Sequence, residues 1–240
     1  MKIILIPLIP LLLALSCTPA KDSFSYQNFY GFGEVEPFGQ IVLSGQSVKL
    51  QVIEDQTDGK WMQQQTIFFL CDLTGFTETG AYQATLKMYE PVARKGVVKK
   101  STSDPATYGT DAVALYQDWG SNPKERWIDV SCLTTSLKDS QTPHTVNLVL
   151  DDVRSNTDTV YLELHHEGSG ESFENENWPT TDFQIDTHYL RFDLSGAIPP
   201  EARESIVLQI EWDWFEAANG LLLRDKPKHS EISGTFYLTD

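Results

Sequence analysis

The chain is poor in cysteine, with three in 240 residues, and poor in positive charge: 18 Lys and Arg stand against 34 Asp and Glu, a formal net charge of −16. That shortage of cations argues against nucleic acid and anionic lipid headgroups as partners, because such a surface repels polyanions. The acids are spread along the sequence instead of gathered in a tail, the pattern of a solvated surface. Catalytic signatures are also missing. There is no Gly-x-Ser-x-Gly elbow, no phosphate-cradling glycine loop, no His-Glu-x-x-His pair for zinc and no EF-hand spacing for calcium. These absences leave no cofactor to expect. No convincing amphipathic helical period stands out, and nothing after Leu15 is apolar for long enough to cross a bilayer.

What is present begins at the start. "MKIILIPLIPLLLALSC" carries Lys2, an apolar run from Ile3 to Leu15, then Ser16 and Cys17. The run is too short for a membrane span and is interrupted by Pro7 and Pro10, so residues 1–16 read as a secretory signal peptide. Its ending, Leu-Ala-Leu-Ser-Cys, resembles the bacterial lipobox, in which the cysteine thiol receives a diacylglyceryl group before cleavage; Ala14 stands where that pattern prefers Leu, Val or Ile. Cys17 is therefore the expected lipidation site, and acyl chains at ~0.8 kcal/mol per buried CH₂ anchor firmly. By resemblance to enterobacterial lipoproteins, Thr18 instead of Asp after the cysteine argues against inner-membrane retention. The expected address is the cell envelope, anchored in the outer membrane, with the periplasmic or surface face left open.

Residues 17–38 read as the lipidated cysteine and a polar tether. Beyond them, short segments alternate with period two between Gly, Pro, Asn and Asp. Val48, Leu50 and Val52 share a face, as do Tyr82, Ala84, Leu86 and Met88. Asp58-Gly59 and Thr74-Gly75 read as turns, the first closing a hairpin. A lysine cluster followed by Ser, Thr, Pro and Gly in residues 94–111 suggests a domain boundary, separating residues 39–105 from residues 106–240. Its Arg94, Lys95, Lys99 and Lys100 are read as a solvated strand end. In the second half Ile128, Val130 and Cys132 are in phase, then Leu190, Phe192 and Leu194, then Ile206, Leu208, Ile210 and Trp212, a spacing that predicts a β-sandwich. Cys71 and Cys132 lie inside strand-like runs and are expected as buried thiols.

The stretch that most resembles chemistry is "TVYLELHHEGSGESF", residues 159–173. Alternation puts His166 on the core side with Val160, Leu162 and Leu164, and His165 on the other, so the two rings cannot grip one ion unless the strand breaks. Metal candidates are His166, Glu167 and Glu171, with Glu174 and Glu176 of the same acidic loop as further calcium ligands; the competing reading is a strand end with a glycine turn. Aromatics offer the better hint of function. Tyr116, Trp119 and Trp178, with Leu222 of the triple-leucine segment, are the candidate partner contacts, and their alternative is core packing.

Several blocks resemble the NigD-like lipoproteins of Bacteroidetes: the lipobox, "AVALYQDWGSNPKERWIDVSCL", "HTVNLVLDD", and "DTVYLELHHEGSGE" followed by "YLRFDLSG". The resemblance implies an all-β protein, a small OB-like barrel followed by an immunoglobulin-like β-sandwich. It carries no catalytic residues over. Where that family usually shows Arg-His-Asn after the "YLEL" strand, this chain has His165-His166-Glu167, which weakens a shared metal role. The expectation is a non-enzymatic envelope lipoprotein, membrane-bound through Cys17, binding a protein or glycan but no nucleic acid. Two alternatives are a bacteriocin-associated immunity or export protein, from the family name, and a metal-dependent hydrolase using the His165/His166 region.

Overall fold

The computed structural model describes residues 24–116, 120–122, 125–171, 173, 179–202, 204–218 and 221–238. The segment expected as signal peptide, with Cys17, Trp119, Glu174, Glu176 and Trp178, lies outside the described residues. Among the described residues the fold is all-β in class, with one four-residue α-helix, α1 (Pro105–Tyr108).

The first five strands are β1 (Tyr26–Glu36), β2 (Gln40–Leu43), β3 (Lys49–Asp55), β4 (Thr66–Phe76) and β5 (Tyr82–Pro91). They close into a barrel in the order β1-β2-β3-β5-β4, with β3 and β5 parallel, and closure removes the exposed edges that a sheet of this size would otherwise carry. The arrangement is that of the OB-like barrel expected. Leu50, Ala84 and Leu86 fill it as their alternation predicts, beside Ile41, Ile67 and Phe69. Trp61, from the short 3₁₀ turn Lys60–Gln63, is buried among them and its indole N–H donates to Asp55 Oδ2 at 2.8 Å.

The structure departs from expectation at three places in this half of the chain. The stretch expected as tether contains β1, in which Gly33 is required by packing: a Cβ there would overlap the Ile41 side chain of β2 and crowd the Phe69 ring and the Val42 carbonyl at 3.1 Å. Asp58-Gly59, with Gly59 at φ +75°, leads into the 3₁₀ turn between β3 and β4, which do not pair, so it closes no hairpin. Thr74-Gly75 is not a turn; it lies within β4 at a register shift against β5.

The remaining strands form two facing sheets. One has the order β6 (Ala93–Gly96), β13 (Phe183–Asp193), β10 (Trp127–Leu137), β8 (Ala114–Leu115), with β9 (Gly120–Asn122) also on β10. The other runs β15 (Leu221–Tyr237), β14 (Ser205–Ala218), β12 (Thr159–Glu167), β11 (Thr145–Leu150), β7 (Val98–Lys99). The predicted in-phase residues of β10, β13 and β14 meet Val160, Leu162, Leu164 and Leu148 in one apolar core, each contributing roughly 1.5–3 kcal/mol when fully buried. Sheet pairing changes over between Pro91 and Ala93, ahead of the boundary expected at residues 105 and 106, because β6 pairs with β13 and β7 with β11. The lysines that suggested a linker are sandwich contacts: Lys95 Nζ donates to the Val146 carbonyl at 2.7 Å, and Lys100 Nζ to Glu163 at 2.7 Å.

Barrel and sandwich are joined by a buried polar clamp. Arg191 on β13 donates from Nε and Nη2 to the two oxygens of Asp129 on β10, at 2.7 and 2.9 Å. Its Nη1 reaches Glu34 of β1 at 2.7 Å, Nη2 also reaches Ser44, and the guanidinium sits 3.5 Å from the Trp127 ring centroid. Burial pushes the Asp129 carboxyl up, and the Arg191 fork opposes that shift. Phe68 of the barrel stacks on Tyr189 of β13 at 4.2 Å.

Candidate functional site

The histidine pair divides as the alternation requires. His166 is 1% exposed on the core side of β12, whereas His165 points the other way, bonded to Glu163 and edge-on to Tyr108. His166 Nε2 lies 2.9 Å from His144 Nδ1, and His144 Nε2 lies 3.2 Å from Glu171 Oε2. The other Glu171 oxygen accepts from Ser140 at 2.7 Å. Burial tends to raise the Glu171 pKa, but hydrogen bonds from Ser140, Thr142 and His144 bring it below the ordinary range, so the carboxylate accepts only.

With both rings neutral, that acceptor fixes the tautomers along the chain. His144 must carry its proton on Nε2, so its Nδ1 accepts from His166 Nε2–H, and His166 Nδ1 is left as a bare lone pair. That nitrogen is buried without a hydrogen-bond partner. Burial is the main cause that pushes the His166 pKa down to about 4, aided by His144 and His188 and opposed by Asp111 and Glu167. His188 belongs to the same polar end of the sandwich, 2.8 Å from Thr134, with Ser136 bonded to Asp186 beside it.

Gly109 allows the α1 loop to cross over this cluster: at φ +84°, a Cβ there would overlap the His166 carbonyl. The result is a sealed polar extension of the core. The three metal candidates do not converge within it. Glu171 reaches His144, and Glu167 instead caps the glycine turn by accepting from Ser169 N at 2.7 Å. Elsewhere among the described residues, ligand atoms of Glu211, His229 and Glu231 lie within 4.8 Å of one another. Glu211 is already held by both Arg154 nitrogens at 2.8 and 2.6 Å and by Gln209 at 3.0 Å, so donors occupy the site a cation would need.

An open depression of about 510 Å³ lies where β8 and β14 part. Trp212 and Trp214 are both partly exposed and share a face of β14, and they line it with Ala114, Leu115, Phe215, Glu216, Lys228 and Ser230. Each indole rests one side on the core, Trp212 against the main cluster and Trp214 against Phe173, Phe183 and Phe215. Glu216 and Lys228 face each other at 3.7 Å across the rim. Tyr116, 42% exposed, follows β8 directly, its N–H donating to the Ser131 carbonyl at 2.8 Å. Leu222, also a predicted contact, packs against the phenylalanine cluster, as Trp214 does, and Leu223 beside it is exposed. The period-two pattern phased Trp212 with the core and did not reveal that both indoles are partly exposed.

Residues 96–191 match the family model of the NigD-like C-terminal beta sandwich domain. None of the curated proteins compared matches the chain. Among solved structures, a NigD-like immunity protein from Bacteroides caccae is similar at a TM-score of 0.53 and 15% identity, covering 85% of this chain and 92% of its own. A protein of unknown function from Bacteroides vulgatus reaches 0.56 at 16% identity, over 88% of this chain and 91% of its own. A protein provisionally classed as a lipoprotein from Bacteroides fragilis reaches 0.53 at 10% identity, over 90% and 99% respectively. Identities this low establish a shared fold and nothing about activity.

Proposed function

We propose, from the match of residues 96–191 to the NigD-like C-terminal beta sandwich domain, that the chain is a NigD-like protein and a non-enzymatic lipoprotein of the cell envelope. In this reading Cys17 carries the lipid, in the outer membrane, and the sandwich presents its open flank to a protein or glycan partner. The observation that carries it is the depression between β8 and β14, where two partly exposed tryptophans meet an ion pair and Tyr116 follows one wall. Partly exposed aromatics beside charged rim groups are the composition of interaction hot spots. The lipoprotein classification of the Bacteroides fragilis relative supports the anchored address, and no helix among the described residues is long and apolar enough to cross a membrane. Hydrolysis through the His165/His166 region is disfavoured, because those rings occupy opposite faces and the buried one is engaged by His144.

The test is photo-crosslinking in intact cells, with the reactive residue placed at position 116 or 223 and, as control, at exposed Ile53 on the barrel. Discrete adducts from the flank positions and none from Ile53 support the reading; adducts absent from the flank refute it. A second reading, immunity to a bacteriocin, draws on the name of the Bacteroides caccae relative. Deleting the gene and finding bacteriocin sensitivity unchanged removes that reading.

A further inference from the structure

We propose that the groove between β8 and β14 is a binding site for an uncharged oligosaccharide, with Trp212 and Trp214 as stacking platforms. The inference rests on the reading of this flank as the interaction surface, and narrows its partner to one chemical class. Three features of the groove lead there.

The first is the spacing of the rings. Residues two apart on a strand lie about 6.7 Å apart along it and project to the same side. The two indoles therefore offer successive flat apolar platforms, each steadied on one side by core packing. A sugar ring presents just such a flat face of C–H groups, and a chain of them matches a row of platforms better than a single compact ligand does.

The second is the balance of the polar groups. Glu216 supplies acceptors, Lys228 donors and Ser230 both, while the two charges neutralise each other across 3.7 Å. A groove with donors, acceptors and no net charge complements a ligand rich in hydroxyls and free of charge. Acidic polysaccharides are disfavoured further by the formal charge of −16 on the chain.

The third separates a glycan from an extended peptide. Strand addition needs a run of free backbone groups on an edge; among the described residues β8 offers only Ala114 and Leu115, and the Val113 N–H just before it already donates to the Asp213 carbonyl at 2.9 Å. Side chains, not a ladder, must therefore supply the contacts.

The experiment is isothermal titration of the mature chain, without its lipid, against cellohexaose, maltohexaose, mannohexaose, xylohexaose and laminarihexaose, with tryptophan fluorescence read in parallel. Binding of at least one hexasaccharide is expected, with a change in the fluorescence. Trp214→Ala is expected to weaken it about tenfold or more, the equivalent of ~1.4 kcal/mol. Because Trp214 also supports the phenylalanine cluster, Lys228→Ala and Glu216→Gln serve as exposed variants that leave the core intact and should also weaken binding. Phe38→Ser, on the 95% exposed barrel residue, should leave it unchanged. Failure of all five sugars to bind, or binding indifferent to the groove variants, overturns the proposal. If the sugars fail while flank crosslinks to a protein are found in cells, the glycan assignment falls and the interaction reading stands.

Discussion

Replacing His166 by Gln should remove much of the protein's sensitivity to mild acid. In the folded chain burial holds the His166 pKa at about 4, against an ordinary value of 6.5. Between those values the unfolded chain binds a proton that the folded one refuses, so stability falls as pH drops through 6.5 and stops falling from this source below about 4. At roughly 1.4 kcal/mol per pKa unit, the full window amounts to about 3 kcal/mol. Gln cannot titrate but keeps an N–H to offer His144 Nδ1, so the hydrogen-bonded chain to Glu171 is retained. The assay is urea unfolding at intervals from pH 7.5 to pH 4.0, comparing extrapolated stabilities of wild type and variant. Groups common to both, including His188, whose pKa burial also lowers, cancel in the difference. The wild type should lose up to about 3 kcal/mol more than His166→Gln across the window; parallel curves would refute the buried neutral imidazole.

Other expectations concern the clamp, the loop crossing and the thiols. Arg191→Met leaves Asp129 buried and unpaired, and should cost about 3–5 kcal/mol by denaturant unfolding; adding Asp129→Leu should return much of it, and if it does not, the pair is not the source of the loss. Gly109→Ala places a Cβ against the His166 carbonyl at φ +84° and should destabilise by at least ~1–3 kcal/mol in thermal unfolding, whereas Ala at Gly80, also at positive φ but with open space around it, should cost less. Burial pushes the thiols of Cys71 and Cys132 up to about 12, so the native protein at pH 8 should resist alkylation, and both should react once urea unfolds it. Rapid native labelling at either position would contradict the packing described.

Much of the sandwich was legible because its signal is local: Ile128, Val130 and Cys132, like Leu190 and Phe192, obey the two-residue period, and the structure buries each of them. The same rule separated His165 from His166. What escaped depends on distant partners. The two-residue period puts Asp129 and Arg191 on the face away from the sandwich core, and only the barrel packed over that face makes them a buried pair. His144 lies 22 positions before His166, so nothing local links their rings. β1 escaped because the need for glycine at position 33 is set by Ile41 on the neighbouring strand. At the flank, Trp212 was correctly phased with the core; its exposure follows from the shortness of β8, which no period encodes.

Oxidative footprinting of the protein in intact cells, compared with the purified chain, addresses the interaction surface directly. A covered flank predicts slower oxidation of Tyr116, Trp212 and Trp214 in cells, with Tyr26 and Phe38 on the barrel reacting alike in both settings. Equal oxidation of the flank aromatics in the two settings would mean that nothing occupies the groove, and would contradict the account.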